Sequence, residues 1–421
     1  MDNLREKARK FRSSKEFSDA LEIYKDLLNN DKHMIKDKWL GWEYADTLKK
    51  TGDIDGAIKV CKEIYKNNRD FKYIKDLLVW CLYEKYLKLI KVDNIISIHE
   101  LNKICNVGWF ILDNSTQQVG LPYESTVLKI VKVLDKSKIN DVSVKILQWI
   151  ERIDIDKLSK DSKKIQLNDK KEINLASNYE ELVYIKIKSL YNLKRYKECV
   201  ANIDQFLNSN IMFHNDRDKW VKRIRAKSMF YLGEKDVACE EMKELSKLFN
   251  NWVIKFELAK LYKDLGFLNK AIYYSSLALI DKGAIEKKIS LLDLHIILLK
   301  DIGLTNEALL AKEYLMEIKD KKVETLRSNK KQVITTCFSI INQANGRKEG
   351  KLKKIFKNGK SGYIESEDIL YYFTKNNIVT GYMELGRRFT FTSIDSFDKK
   401  KNINTVEAIE IVSCYNIGRR V

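Results

Sequence analysis

Proline is all but missing: it occurs once, at Pro122, in 421 residues, and glycine occurs only 16 times. A chain so short of helix breakers is expected to be mainly helical, with tight turns. Cysteine is present but unorganised. Cys61, Cys81, Cys105, Cys199, Cys239, Cys337 and Cys414 include no CxxC pair, which argues against a ribbon-type zinc site and a disulfide framework. An odd number of thiols set among apolar residues reads as reduced, buried cysteine in a cytoplasmic protein. No run of 18 apolar residues occurs, so no membrane span or membrane partner is expected. The stretch Met1–Arg12 is charged throughout and lacks the apolar segment of a secretory signal.

Catalytic patterns are missing too. There is no HExxH, GxSxG or GxGxxG, and His33, His99, His214 and His295 lie far apart. Gly359-Lys360-Ser361 ends like a phosphate-binding loop. However, Lys354 stands where that loop needs its first glycine, and a strand rather than a helix is predicted to follow. The reading is a non-enzymatic chain with no catalytic residue, cofactor or metal.

What is present is positive charge and repetition. Against 59 Asp+Glu stand 78 Lys+Arg, a net charge of +19. Such a surplus suits polyanionic partners, nucleic acid or an acidic protein surface. A composition rich in Lys, Asn and Ile throughout is the other source it could have. The length exceeds one compact core and points to several domains or an extended array.

From Trp252 to about Gly283 the chain places Ala259, Tyr262, Gly266, Ala271 and Ala278 at offsets 8, 11, 15, 20 and 27. Small residues at 8 and 20 let two antiparallel helices approach closely. The aromatic at 11 fills the space beside them, and the glycine permits a left-handed turn. The same grammar recurs at Ala226, Gly233 and Ala238, at Gly303 and Ala308, at Ala45, Gly52 and Ala57, and at Ala8, Phe11 and Ala20. A weaker copy over 181–214 has Cys199 at the alanine position. These positions resemble the tetratricopeptide repeat, which implies an α-solenoid that holds a peptide or protein in its groove. Trp39 and Trp42 fall on repeat positions and read as packing. Four domains are predicted: a helical array over 1–153, a polar insertion or linker over 154–180, a second array over 181–345, and a different domain over 346–421. Residues 323–345 are predicted to form one further helix.

Beyond Gly350 the apolar period changes to two, with short strands at Lys351–Lys353, Gly362–Ile364, Ile369–Phe373, Arg388–Thr392 and Val406–Val412. Five such strands suggest a small five-stranded OB-type β-barrel. GKLKKIFKNGKSGYI (350–364) followed by DILYYF (368–373) resembles the cold-shock domain. That resemblance implies that Tyr363, Tyr372 and Phe373 stack on bases of single-stranded RNA or DNA. Lys351, Lys353, Lys354, Lys360 and Arg388 are assigned to phosphates, with Lys357, Arg387 and Lys399–Lys401 as further cations. Tyr371 is expected to face the core. Lys354, Ser361 and Leu370 depart from the family, which usually has aromatics there, so binding is expected to be weak, sequence-tolerant and salt-dependent. The resulting expectation is an adaptor that binds single-stranded nucleic acid through the barrel and a protein through the array, in bacterial regulation or defence. The alternative is a pure protein–protein scaffold whose barrel is a docking module.

Overall fold

A computed structural model describes residues 2–30, 37–91, 97–118, 120–137, 139–168, 171–320, 326–344, 346–398 and 402–414. Lys399–Lys401 lie outside the described residues. By their internal contacts the residues form two units, 1–198 with 204–215, and 199–203 with 216–421.

In the first unit, α1 (Asp2–Ser13), α2 (Phe17–Asn30), α3 (Lys38–Lys50), α4 (Ile54–Asn67) and α5 (Lys72–Tyr83) are followed by α6 (Ile98–Asp113), α7 (Tyr123–Lys136) and α8 (Val142–Ile150). The polar segment 154–180 is more than a linker. It carries an antiparallel hairpin of β1 (Lys163–Asn168) and β2 (Lys171–Leu175), flanked by the buried Leu158 and Ala176. Next come α9 (Asn178–Asn192) and α10 (Tyr196–Leu207). α9 packs on α7 and α8.

The second unit has three further helical hairpins: α11 (Arg217–Tyr231) with α12 (Lys235–Leu248), α13 (Trp252–Asp264) with α14 (Leu268–Ile280), and α15 (Ile289–Asp301) with α16 (Thr305–Asp320). The helix expected near 323–345 is α17 (Leu326–Gln343). This is a tetratricopeptide-like array followed by a closed five-stranded barrel.

One turn occurs six times among the described residues. At Gly266 the backbone is left-handed, with φ +79°. The Gly266 N–H donates to the Lys263 carbonyl at 2.9 Å and the Phe267 N–H to the Tyr262 carbonyl at 2.9 Å. This is the Schellman closure, which satisfies two carbonyls left over at the end of α13. The same pair of bonds closes helices at Gly52, Gly233 and Gly303, and also at Lys15 and Lys194. These two lysines hold φ +65° and +60°. The small residues the repeat grammar singled out, among them Ala45, Ala57, Ala226, Ala259, Ala271 and Cys199, are fully buried. A larger side chain there would force paired helices apart.

The barrel runs β3 (Arg347–Ile355), β4 (Ser361–Ser366), β5 (Ile369–Thr374), β6 (Ile378–Thr380), β7 (Arg388–Asp398) and β8 (Ile403–Ser413). β3, β4 and β5 form an antiparallel meander. β3 also pairs with β7, and β7 with β8. β8 meets β5 in parallel at Tyr372 and Glu407, which closes the ring, and short β6 lies along β8. Leu352, Ile364, Tyr371, Phe373, Phe389, Phe391 and Ile411 fill the interior. Gly362 is required where β4 crosses β3, since a Cβ there would sit 2.1 Å from the Lys354 carbonyl oxygen.

The barrel is fastened to its own helical hairpins. Val379 and Val412 belong to the apolar core of α11–α17. Two residues of β8, Glu410 and Ile411, oppose the single Phe391 in a bulge, and Glu410 is left-handed at φ +50°. Bulges re-aim side chains, and here the carboxylate Oε2 accepts the Tyr273 hydroxyl of α14 at 2.6 Å. Arg347 completes the knot. Its guanidinium donates to the Glu410 carbonyl at 2.9 Å, the Thr390 hydroxyl at 2.9 Å, and the Thr392 and Tyr273 hydroxyls at 3.3 Å. The Asn250 amide donates to the Ile378 carbonyl at 2.9 Å.

Two predictions follow from these contacts. Lys194→Gly is expected to raise stability by about 0.5–1 kcal/mol and Gly266→Ala to lower it by about 1 kcal/mol. The urea midpoint checks both, and midpoints moving in the same direction would contradict the role of the turn. The second concerns pH. Burial, and then the Glu410 carboxylate, raise the Tyr273 phenol well above its ordinary 10.0. Above pH 10 the unfolded chain therefore sheds a proton that the folded seam retains, so stability falls as pH rises. Thermal unfolding at pH 9 and 11 should show that loss, and Tyr273→Phe should reduce it while costing about 1–3 kcal/mol at neutral pH.

Candidate nucleic-acid interface

The outer face of the β3–β4–β5 meander is built by strand register. Lys354 stands opposite Tyr363, and Tyr363 opposite Tyr372. A bulge at Lys353, between the Leu352 and Lys354 pairings, reverses the parity of β3. Leu352 points into the core, while beyond the bulge Lys354 lies on the outer side with Phe356 at the end of the strand. Phe356 thereby joins the two tyrosines. Its ring centroid lies 5.3 Å from Tyr363 and 6.3 Å from Tyr372, and the tyrosines are 6.0 Å apart. All three rings are half-buried, each covered partly by the others. The Lys354 ammonium lies 5.7 Å from the Phe356 centroid.

The β3–β4 turn brings more cations. The Gly359 N–H donates to the Phe356 carbonyl at 2.9 Å, the Phe356 N–H to the Ser361 carbonyl at 3.0 Å, and the Lys360 N–H to the Asn358 side chain at 2.9 Å. Lys357 and Lys360 are exposed on this turn. Lys351, Lys354, Lys357 and Lys360 form no ion pair with any described residue. Lys353 pairs with Glu365 at 2.9 Å, and Arg388, across from Lys351, with Glu349 at 2.5 Å. Both pairs are solvent-exposed and worth about 0–1 kcal/mol, so exchanging their carboxylates for phosphates costs little.

Phe373, expected to stack on bases, is corrected by the structure. It is 1% exposed and packs inside the barrel with Tyr371 and Phe391. The period of two makes this unavoidable: Tyr371 faces inward, as expected from the sequence, so Phe373 must as well. Arg387 is no free cation either. Its guanidinium bonds the Ser413 hydroxyl at 3.0 Å and lies 4.0 Å from the Tyr382 centroid. The face thus keeps three rings, with Phe356 in place of Phe373.

Elsewhere, Trp39 and Trp42 are not wholly interior. Trp39 is 42% exposed in a surface cluster with Phe71 and Tyr73. One polar trio looks catalytic by composition: the Ser275 hydroxyl lies 2.8 Å from His295 Nδ1, and the Cys337 thiol 3.7 Å from Nε2. All three are sealed in the helical core. Burial lowers the imidazole to about 3 and raises the thiol to about 12, so neither charged form is accessible near neutrality. No group of residues able to hold a metal occurs among the described residues, and no described helix is long and apolar enough to cross a membrane.

No protein-family model and no curated protein matches the chain. Solved structures similar to it are tetratricopeptide proteins. A tetratricopeptide repeat protein from Parabacteroides merdae is 13% identical over 70% of this chain and 98% of its own, with a TM-score of 0.29. A thermophilic TPR protein of Thermus thermophilus is 10% identical over 62% and 97%, at 0.20. The TPR2AB-domain:pHSP90 complex of yeast Sti1 is 12% identical over 75% and 96%, at 0.23. The repeat architecture rests on this chain's own turns and buried alanines rather than on those superpositions.

Phe373→Ala is expected to cost about 3–5 kcal/mol by opening a core cavity, whereas Phe356→Ala, at a half-buried ring, should cost much less. Urea unfolding of the two variants compares them directly. Equal losses would place both rings in the core.

Proposed function

We propose that this chain is a non-enzymatic adaptor. Its C-terminal barrel is a cold-shock-like OB module for single-stranded nucleic acid, RNA foremost, and its helical hairpins hold a protein partner. The observation that carries the reading is the outward triad Phe356, Tyr363 and Tyr372 beside four lysines without ion pairs among the described residues. Such a surface offers π-faces to unpaired bases and point charges to phosphates, the two components of sequence-tolerant single-strand binding. The strand order β3–β4–β5–β8–β7–β3 supports the OB assignment. It is a five-stranded Greek-key ring of the kind whose second and third strands bind oligonucleotides. The net charge of +19 favours a polyanion. Repeat arrays of helical hairpins present grooves suited to peptides and helices. A cytoplasmic role in bacterial regulation or defence is inferred by analogy with such domain combinations.

A second reading, a barrel that docks protein, is favoured by Ile369 and Leu370, exposed to 45% and 46% at the edge of the same face. The two readings separate in one experiment on the full chain, since the barrel shares its core with α11–α17. Labelled single-stranded RNA, single-stranded DNA and duplex are titrated at about 50 and 200 mM salt. Single strands are expected to bind best, with a steep loss of affinity at the higher salt. Phe356→Ala, Tyr363→Ala and Tyr372→Ala should each weaken binding roughly 5- to 100-fold. Unchanged affinity in all three variants, or no binding at low salt, would leave the docking reading standing.

A further inference from the structure

α15 and α16 enclose a groove that the nucleic-acid reading leaves unused. Asp293, Ile296, Ile297 and Lys300 line it from α15, and Lys312, Leu315, Met316 and Lys319 from α16. Its residues recur at helical spacing: Asp293, Ile297 and Lys300 form one stripe, and Lys312, Met316 and Lys319 the other. Leu309 extends the second stripe by one turn. Ile297, Leu309 and Met316 are 46%, 51% and 51% exposed, unusual for large apolar side chains placed so close together. Neighbouring apolar positions on the same helices, such as Leu292, Leu299 and Leu315, are buried as a two-helix hairpin requires. The exposed set is therefore surplus to the fold.

The rim carries the second clue. Lys300, Lys312 and Lys319 are exposed and form no ion pair with any described residue, and Asp293 is the one carboxylate lining the groove among the described residues. An apolar floor with a cationic rim selects its occupant by charge as well as shape. From Leu309 to Lys319 the stripe runs about 15 Å, enough for about three turns of a docked helix. A flexible Met at its centre suits apolar side chains of varied shape.

We propose that this groove docks a short amphipathic helix of a partner protein whose apolar stripe is flanked by Asp and Glu. The assignment rests on reading the hairpins as a partner-binding scaffold and adds the place and the chemistry. Leucine-like side chains enter between Ile297 and Met316, while carboxylates meet Lys300, Lys312 and Lys319. The charges are exposed, so they contribute selectivity and encounter rate more than affinity, and they weaken with salt.

The test uses the full chain and two labelled 14-residue model helices. Both have leucines at i, i+3 and i+7; one has glutamates beside them, the other lysines. By fluorescence anisotropy at low salt the glutamate helix should bind at least ten-fold more tightly, and the difference should shrink as salt rises. Lys312→Glu with Lys319→Glu should reverse the preference, and Met316→Asp should remove binding of both helices. These side chains are exposed, so near-UV circular dichroism should be unchanged, and oligonucleotide binding should match the parent chain. Equal affinity for the two helices overturns the proposal. Undiminished binding to the variants also overturns it, yet leaves the scaffold reading intact, because the helix then sits elsewhere on the hairpins. Failure of both helices to bind counts against both. Self-association of the chain that Met316→Asp abolishes reassigns the groove to a second copy.

Discussion

A single backbone conformation governs six of the described helical hairpins. Six hairpins, α1–α2, α3–α4, α9–α10, α11–α12, α13–α14 and α15–α16, end their first helix with a left-handed residue whose N–H, with that of the next residue, returns to carbonyls of the last turn. That closure turns the chain within two or three residues and points the second helix back along the first. The pair can then approach only because alanine, or Cys199, stands where the helices meet. Turn and small residue are two halves of one constraint. A left-handed turn without small side chains would splay the helices, and small side chains without the turn would have nothing to pack against. Glycine is the easy solution at the turn, yet Lys15 and Lys194 hold the same conformation at a cost of about 1–2 kcal/mol each. Packing of the following helix outweighs the local preference.

The barrel obeys a different constraint, the alternation of side chains across a strand, and in β3 and β8 it breaks that alternation. The bulge at Lys353 sends Leu352 inward and Phe356 outward along one strand, where an unbroken period would place both on the same side. The bulge at Glu410 turns a carboxylate out of β8 and onto Tyr273. One inserted residue builds the aromatic face and the other fastens the barrel to α14. Each is a small local irregularity with a consequence that reaches across the sheet.

These irregularities mark how far the sequence could be read. The repeat grammar was legible because it rests on residue types with one purpose each: glycine for positive φ, alanine for close approach. The strands were legible from the period of two, and so was the inward Tyr371. Phe373 was misplaced although the same period, carried two residues further, puts it beside Tyr371 in the core. Phe356 was missed for a better reason, because nothing in KLKKIFK announces that an extra residue sits at Lys353. The seam was invisible as well, since Tyr273 and Glu410 lie 137 residues apart and meet only in the folded chain. Glu257 belongs to the same class. It is a buried carboxylate held below its ordinary value although burial opposes this, because Arg223, Lys227 and Lys260 surround it.

The placement of the seam decides what the barrel can do. Its contacts with the helices include Ile378 and Val379 of β6, Thr390 and Thr392 of β7, Glu410 and Val412 of β8, Arg347 at the start of β3, and the turn Lys375–Asn377 against α12. The triad and its lysines lie on the outer side of β3, β4 and β5, which none of these contacts covers. A ligand can therefore settle on the rings without opening the seam, and the cost of binding reduces to displacing water and two weak surface ion pairs. The seam and the proposed recognition face thus draw on different surfaces of one small barrel. The hydroxyl–carboxylate–guanidinium knot holds it in place, and it leaves uncovered the aromatic side proposed to meet an unpaired strand.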